Sequence, residues 1–99
     1  MTTRKILAVV RMYQGRLERE GIPKTRMPLD ESFSKNKKKA KEQMLAHAHF
    51  LLDGIREYAT DTERKGKTGR HLGSVQVLLW TAGWYTLGQI MSHNRPDGS

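Results

Sequence analysis

The residues best suited to bind something are basic, and they come in two runs. Lys35, Lys37, Lys38, Lys39 and Lys41 fall within seven positions; Arg64, Lys65, Lys67 and Arg70 fall within another seven. Clustered cations attract phosphates and carboxylates. Arg70 is the strongest single candidate. It opens an apolar stretch that reads as a helix, where a guanidinium and free backbone N–H groups would meet an anion together. Gln76 and Trp80 follow at helical distances: an amide that can read a base or a backbone, and an indole that can stack on one. The structural alternatives are plain. Trp80 in an apolar helix packs in a core, Gln76 satisfies buried neighbours, and a lysine run is a solvated turn. Lys38 and Arg95 complete the set of candidate ligand contacts with Arg70, Lys67, Arg64, Gln76 and Trp80.

Other chemistries find no support in the chain. There is no cysteine, which excludes disulfides and thiolate metal sites. His47 and His49 are two apart and so point to different sides of a helix, with no His-Glu-x-x-His pattern and no carboxylate at ligand spacing to both. The expectation is no metal and no cofactor, with His47 as a hydrogen-bonded residue at the edge of an apolar face. Ser74 lies in an apolar helix without a nucleophile elbow, and Gly66-Lys67-Thr68 lacks the upstream glycines of a phosphate loop. The protein reads as non-enzymatic.

The elements that must position these residues are helical. Gly69–Trp84 is the most apolar run. Leu72, Val75, Leu79 and Ala82 make one helical face, and Val77, Leu78, Trp80 and Trp84 point elsewhere. A helix apolar over most of its circumference is buried among neighbours, in its own chain or in another copy. Thr3–Glu20 is an amphipathic helix with Ile6, Val9, Val10, Tyr13 and Leu17 inward, Thr2 or Thr3 as its cap, and Gly21 and Pro23 as its stop. Ile22–Ser34 is a connector whose Ile22, Met27, Leu29 and Phe33 pack it along the core. Lys37–Ala59 is a second helix, capped by Ser34 or Asn36, with Ala40, Met44, Ala48, Leu51, Leu52 and Ile55 inward, Tyr58 one step further, and Gly54 as a weak point. The lysine cluster opposes the macrodipole at its start, which favours an external anion there. Thr60 and Glu63 have capping-box spacing, and the third helix starts between Thr62 and Lys67. Gly66, Gly69 and Gly73 form a side-chain-free stripe suited to close helix packing. Gly83 ends that helix. Thr86 and Gln89 start a short fourth helix through about His93, folded back by Leu87, Ile90 and Met91, and Asp97–Ser99 fray.

The expected fold is therefore all-α: residues 1–99 as a single domain of three main helices and a short C-terminal one. Ninety-nine residues bury a modest fraction of their surface, which favours a homo-oligomer. If the second and third helices are antiparallel, their N-termini lie about 30 Å apart. The two basic clusters then merge only between subunits, and Arg95 sits nearer the Lys35–Lys41 end. No run reaches a membrane span and no signal-peptide pattern opens the chain, so the expected partners are not membranes and the expected location is cytoplasmic.

The second half carries a resemblance. Arg70, His71, Leu72, Gly73, Ser74, Val75, Gln76, Val77, Leu78, Leu79 and Trp80 stand where the signature R-W-L-G-F-x-Q-G-x-L-W stands in a widespread family of small proteins encoded by tailed bacteriophages and prophages. Gly83, Tyr85 and Thr86 are similar to its G-x-Y-T, and His93, Asn94, Arg95 and Pro96 to its H-N-R-P. Tyr13, Leu17, Glu18, Gly21 and Ile22 are similar to its N-terminal Y…L-E…G-I element, and His47, Phe50 and Leu51 more loosely to its H-x-x-W-M. The chain departs at His71, Ser74 and Val77, so any ligand read by the family's aromatic pair would differ here. The resemblance implies a phage context, and hence the cytoplasm of an infected host cell, without attaching an activity.

With a formal net charge of +8, the chain suits anionic partners. Three readings follow: a binder of a small anionic nucleotide that sequesters an immune signal used in host antiviral defence, a nucleic-acid-binding protein, and an inhibitor of an acidic host protein. The third helix is too apolar to read a groove of duplex DNA, which places the nucleotide reading first.

Overall fold

The computed structural model describes residues 2–59 and 65–95, with side chains in the third helix described from Thr68 onward. The element order is α1 (Thr3–Arg19), α2 (Lys37–Ala59), α3 (Lys65–Thr81) and α4 (Leu87–His93), with no strand among the described residues. The Thr60–Glu63 capping pair, Arg64 and the C-terminal Asp97–Ser99 lie outside them.

Each helix boundary has a local chemical cause. The Thr2 hydroxyl accepts the Lys5 N–H at 3.1 Å and opens α1. Of the two cap candidates for α2, Asn36 does the capping: its side-chain oxygen accepts the Lys39 N–H at 3.0 Å. Ser34 instead supports the cap, its hydroxyl accepting the Asn36 N–H at 3.1 Å. Thr86 and Gln89 form the expected capping box and start α4 at Leu87. At the C-terminal end of α1, the Ile22 N–H donates to the Leu17 carbonyl at 3.0 Å and Gly21 turns at φ 70°. Trp84, Leu79 and Gly83 repeat this arrangement after α3, with Gly83 at φ 82°. Only glycine takes such a backbone without strain.

The core gathers Ile6, Val9, Val10, Tyr13 and Leu17 from α1, Leu45, Ala48, Leu52 and Ile55 from α2, and Leu72, Val75, Leu79 and Ala82 from the α3 region. The α1 and α3 faces are those the spacing predicts. The α2 face is rotated: Leu45 and Ala46 are buried, while Met44 and Leu51 are half-buried. α3 runs back along α2, since His71 meets Tyr58 edge-on at 6.0 Å and Leu78 shares a recess with His47 further along.

α3 is not covered all round within the chain. Val77 is 55% and Trp80 47% exposed, because α1, α2 and α4 leave one side of the helix open. Two expectations are corrected here. First, the glycine stripe does not pack closely within the chain: a Cβ at Gly69 or Gly73 would meet nothing within 4 Å. Second, several apolar residues assigned to packing face solvent. Leu29 is 89% exposed at the tip of the connector, and Leu87 and Met91 leave Ile90 alone to seat α4.

The connector is nevertheless strapped down. Thr25 N–H donates to the Ala46 carbonyl, Met27 N–H to His47 Nδ1 and Ser34 N–H to the Gln43 side chain. Lys24 pairs with Asp53 at 3.0 Å, and Gln14 of α1 donates to the same carboxylate. Polar side chains on the face of α2 thus hold a segment that lacks helical bonds of its own.

Candidate functional site

Two adjoining recesses lie between the connector, α2 and α3. One, of about 700 Å³, is walled by Phe33, Leu51, Val77 and Leu78, with Gly73 leaving its floor open and Arg70 at its rim. The other, of about 660 Å³, lies between Arg26, Met27 and Leu29 of the connector, Phe50 and Tyr58 of α2, and His71 of α3. His47 and Leu51 line both, so the two read as one groove with an arginine toward each end. Volumes of several hundred Å³ with mostly apolar walls and a few polar groups suit a small-molecule ligand.

The groove exists because α2 presents His47, Leu51, Gly54 and Tyr58 along one side. Their spacing of four, three and four residues is a single helical stripe. Gly54, the expected weak point, supplies the shallow part of the floor. Its absent side chain leaves room, with Tyr58 Cε2 the nearest atom at 3.8 Å from a notional Cβ.

His47 occupies the junction. It stacks on Phe50 with ring centroids 6.2 Å apart and planes 20° from parallel. Because Met27 N–H must donate, Nδ1 is an acceptor and the ring is neutral with its proton on Nε2. Burial lowers its pKa below the ordinary histidine value, and the neighbouring Arg26 charge adds to that. His49, two residues on, is the opposite tautomer. It is 3% exposed and its Nδ1 lies 2.8 Å from the Ile22 carbonyl, an acceptor, so Nδ1 carries the proton. Neither ring is free to ligate a metal through Nδ1.

Among the described residues no carboxylate pairs with Arg70 or Arg26. Asp53, the acidic group in the lining, is already engaged by Lys24 and Gln14. An anion entering the groove therefore meets two arginines that no carboxylate among the described residues neutralises.

The residues proposed from sequence separate into several places. Arg70 stands at the groove. Gln76 turns inward and is 5% exposed. Its side-chain NH2 donates to Asn94 Oδ1 at 2.6 Å and to the Tyr13 hydroxyl at 3.1 Å, and its oxygen accepts from Asn94 Nδ2 at 3.1 Å. Trp80 faces solvent away from the groove. Gln76 thus turns to the interior and Trp80 to solvent, so the two do not share a ligand surface. Lys38 is exposed at the start of α2 and Arg95 is exposed after α4. Lys67 lies in the first turn of α3 with its side chain outside the described set, as Arg64 is altogether. Arg26, His47, Phe50, Tyr58 and His71 were not singled out for binding. The signal that could have found them is the α2 stripe at 47, 51, 54 and 58, which resembles a core face until the connector is seen to stop short of covering it.

A second polar centre lies on the α1 side of α3. The Tyr13 hydroxyl accepts from Gln76 and lies 2.9 Å from His93 Nδ1, to which it donates. Tyr85 packs against both rings at 5.5 and 4.9 Å. Arg16 lies over the Trp84 ring at 4.3 Å and the Tyr85 ring at 4.9 Å, and donates to the Trp84 carbonyl at 3.0 Å. Burial pushes the Tyr13 phenol up to about 12, against the Gln76 hydrogen bond, which lowers it. Burial also lowers the His93 pKa, with the Lys5 charge acting in the same sense. Tyr13, Gln76, Tyr85, His93 and Asn94 meet in this one network. They join α1, α3 and α4.

Compared with known proteins, the chain matches no family model, no curated protein and no solved structure.

Proposed function

We propose that this chain is a non-enzymatic binding protein for a small nucleotide, held in the groove between the connector, α2 and α3. The observation that carries this reading is Arg70, without a carboxylate partner among the described residues, at the rim of an apolar recess of about 700 Å³ that continues toward Arg26. A planar base fits among Phe50, His47 and Tyr58, and phosphate fits a bidentate guanidinium. In the phage setting suggested by the sequence resemblance, the protein sequesters a nucleotide immune signal and so counters host antiviral defence. On this reading the ligand is bound and released unchanged.

The test is calorimetry against a panel of linear and cyclic nucleotides. One ligand binds, is recovered intact after heating, and loses at least about tenfold in affinity in Arg70→Ala, the equivalent of about 1.4 kcal/mol. Unchanged affinity in Arg70→Ala and Arg26→Ala would remove the groove as the site. The exposed Lys35–Lys41 run favours a second reading, binding to nucleic acid. That reading requires duplex or single-stranded affinity that falls steeply with salt and survives both arginine substitutions. An acidic host protein as partner would instead appear as one stoichiometric species in a pull-down, with no response in the nucleotide panel.

A further inference from the structure

The solvent-facing side of α3 has an order to it. Reading along the helix, Gly69 and Gly73 come first and Val77 and Trp80 follow. The first pair are notches: a Cβ at either position meets nothing within 4 Å. The second pair are bumps, at 55% and 47% exposure. Gly73 and Val77 also border the recess beside Arg70, so a partner on this face covers that end of the groove. Exposed apolar residues gathered on one face mark an interaction surface.

We infer that this face pairs with the same face of a second copy, with the two α3 helices antiparallel. The arithmetic of the positions selects that orientation. An antiparallel two-fold at the level of Val75 puts residue i beside residue 150 − i of the other copy. Val77 then lies on Gly73 (77 + 73 = 150) and Trp80 on Gly69 (80 + 69 = 149). On a helical wheel Trp80 and Gly69 occupy the same flank of the seam, so the indole of each copy enters the space left by the glycine of the other. Parallel pairing would set bump on bump and notch on notch. An isologous contact requires this self-complementarity.

Charge favours the same arrangement. α3 has no acidic residue in its first turn and no basic residue in its last, so neither end of its macrodipole is compensated along the helix. In the antiparallel pair, Arg70 of each copy lies at the level of Thr81 of the other (70 + 81 = 151). A cation is thereby placed at the negative end of the neighbouring helix. The area is modest. Seventeen residues span about 25 Å, which gives on the order of 500 Å² per copy against the roughly 800 Å² of a standard interface. The dimer is therefore concentration-dependent. Because each copy carries a formal charge of +8, added salt strengthens it by screening repulsion, whereas salt weakens contacts to polyanions.

Sedimentation equilibrium over a range of concentrations reads the mass, and circular dichroism checks that each variant keeps its helices. Wild type moves from monomer toward dimer with concentration and does so more readily at higher salt. Val77→Glu and Trp80→Ala weaken association at least about tenfold. Orientation is read by cysteine pairs, which the cysteine-free chain reports cleanly. Arg70→Cys chains mixed with Thr81→Cys chains form a disulfide-linked dimer on oxidation. Neither variant does so alone, because like positions lie about 15 Å apart along the axis. A monomer at every concentration, an unchanged dimer in both Val77→Glu and Trp80→Ala, or a disulfide in Arg70→Cys alone would overturn the pairing.

Discussion

Replacing Tyr13 by Phe removes a single oxygen that two partners use. That oxygen accepts one Gln76 N–H at 3.1 Å and donates to His93 Nδ1 at 2.9 Å. The two losses are unequal. His93 is half-buried and can turn to water, whereas Gln76 is 5% exposed and its N–H has no second acceptor. A buried donor left without a partner costs about 1–3 kcal/mol, so Tyr13→Phe should destabilise by about 2 kcal/mol. Gln76→Leu removes the donor itself. The Tyr13 hydroxyl then keeps His93, and Asn94, half-buried, loses its reciprocal bonds to Gln76 but has access to solvent. Once Gln76 is Leu, changing Tyr13 to Phe orphans no N–H. The double variant should therefore cost about 1–2 kcal/mol less than the sum of the singles. Urea denaturation of the four proteins closes the cycle. At roughly 1 kcal/mol/M for a chain of this size, Tyr13→Phe lowers the midpoint by about 2 M. Single effects that add to within about 0.5 kcal/mol would refute the reasoning, because they would mean that the Gln76 N–H is not held by Tyr13.

Three further outcomes follow from the same contacts. His47 and His93 both have lowered pKa values in the folded chain, so the unfolded chain takes up protons first as the pH falls. Stability is full above about 6.5 and declines as pH drops from there through the lowered folded values. A urea midpoint that is flat between pH 7.5 and 5, expected of neither histidine, would contradict this; His47→Gln should remove part of the slope. Gly21→Ala and Gly83→Ala each place a Cβ on a positive-φ backbone and should cost about 1–2 kcal/mol in the same denaturation assay. Thr86→Ala breaks the α4 capping box and should cost about 1 kcal/mol, with hydrogen exchange accelerated first in α4.

The local half of this fold is legible in the sequence because its causes are local. Thr86 with Gln89, Gly21 before Pro23, and the period of Ile6, Val9, Val10, Tyr13 and Leu17 each specify a boundary or a face with no knowledge of the neighbours. What periodicity does not show is which apolar residues have anything to pack against. Val77, Trp80, Leu29 and Met91 are apolar like Leu79, yet they have no neighbouring element over them, and the reach of the packed helices decides which residues are covered. The groove was harder to see for the same reason. His47, Leu51 and Tyr58 have core spacing, and they become a lining only because the connector is pinned at Thr25, Met27 and Ser34 and does not lie over them. Arg16 is a further case. It reads as one more surface cation but lies over Trp84 and Tyr85.

α3 has a different task on each side, and this explains why its apolar pattern looked continuous around the helix. Val75 and Leu79 face the core. Gln76, about 100° round from Val75, holds the network to α1 and α4. Ser74 and Leu78, on the other flank, face the groove beside Arg70. Gly73 and Val77 lie opposite the core and border the same recess. The polar network and the groove thus lie on opposite flanks of one rigid helix and share no side chain. Energetic terms at separated sites without shared partners add. Substitutions at Tyr13 or Gln76 should therefore lower stability while leaving groove affinity intact in whatever fraction remains folded. Arg70→Ala should do the reverse. A network variant that stays folded yet loses ligand would show that α3 transmits strain between its flanks, and that the groove is set by the network as well as by the connector.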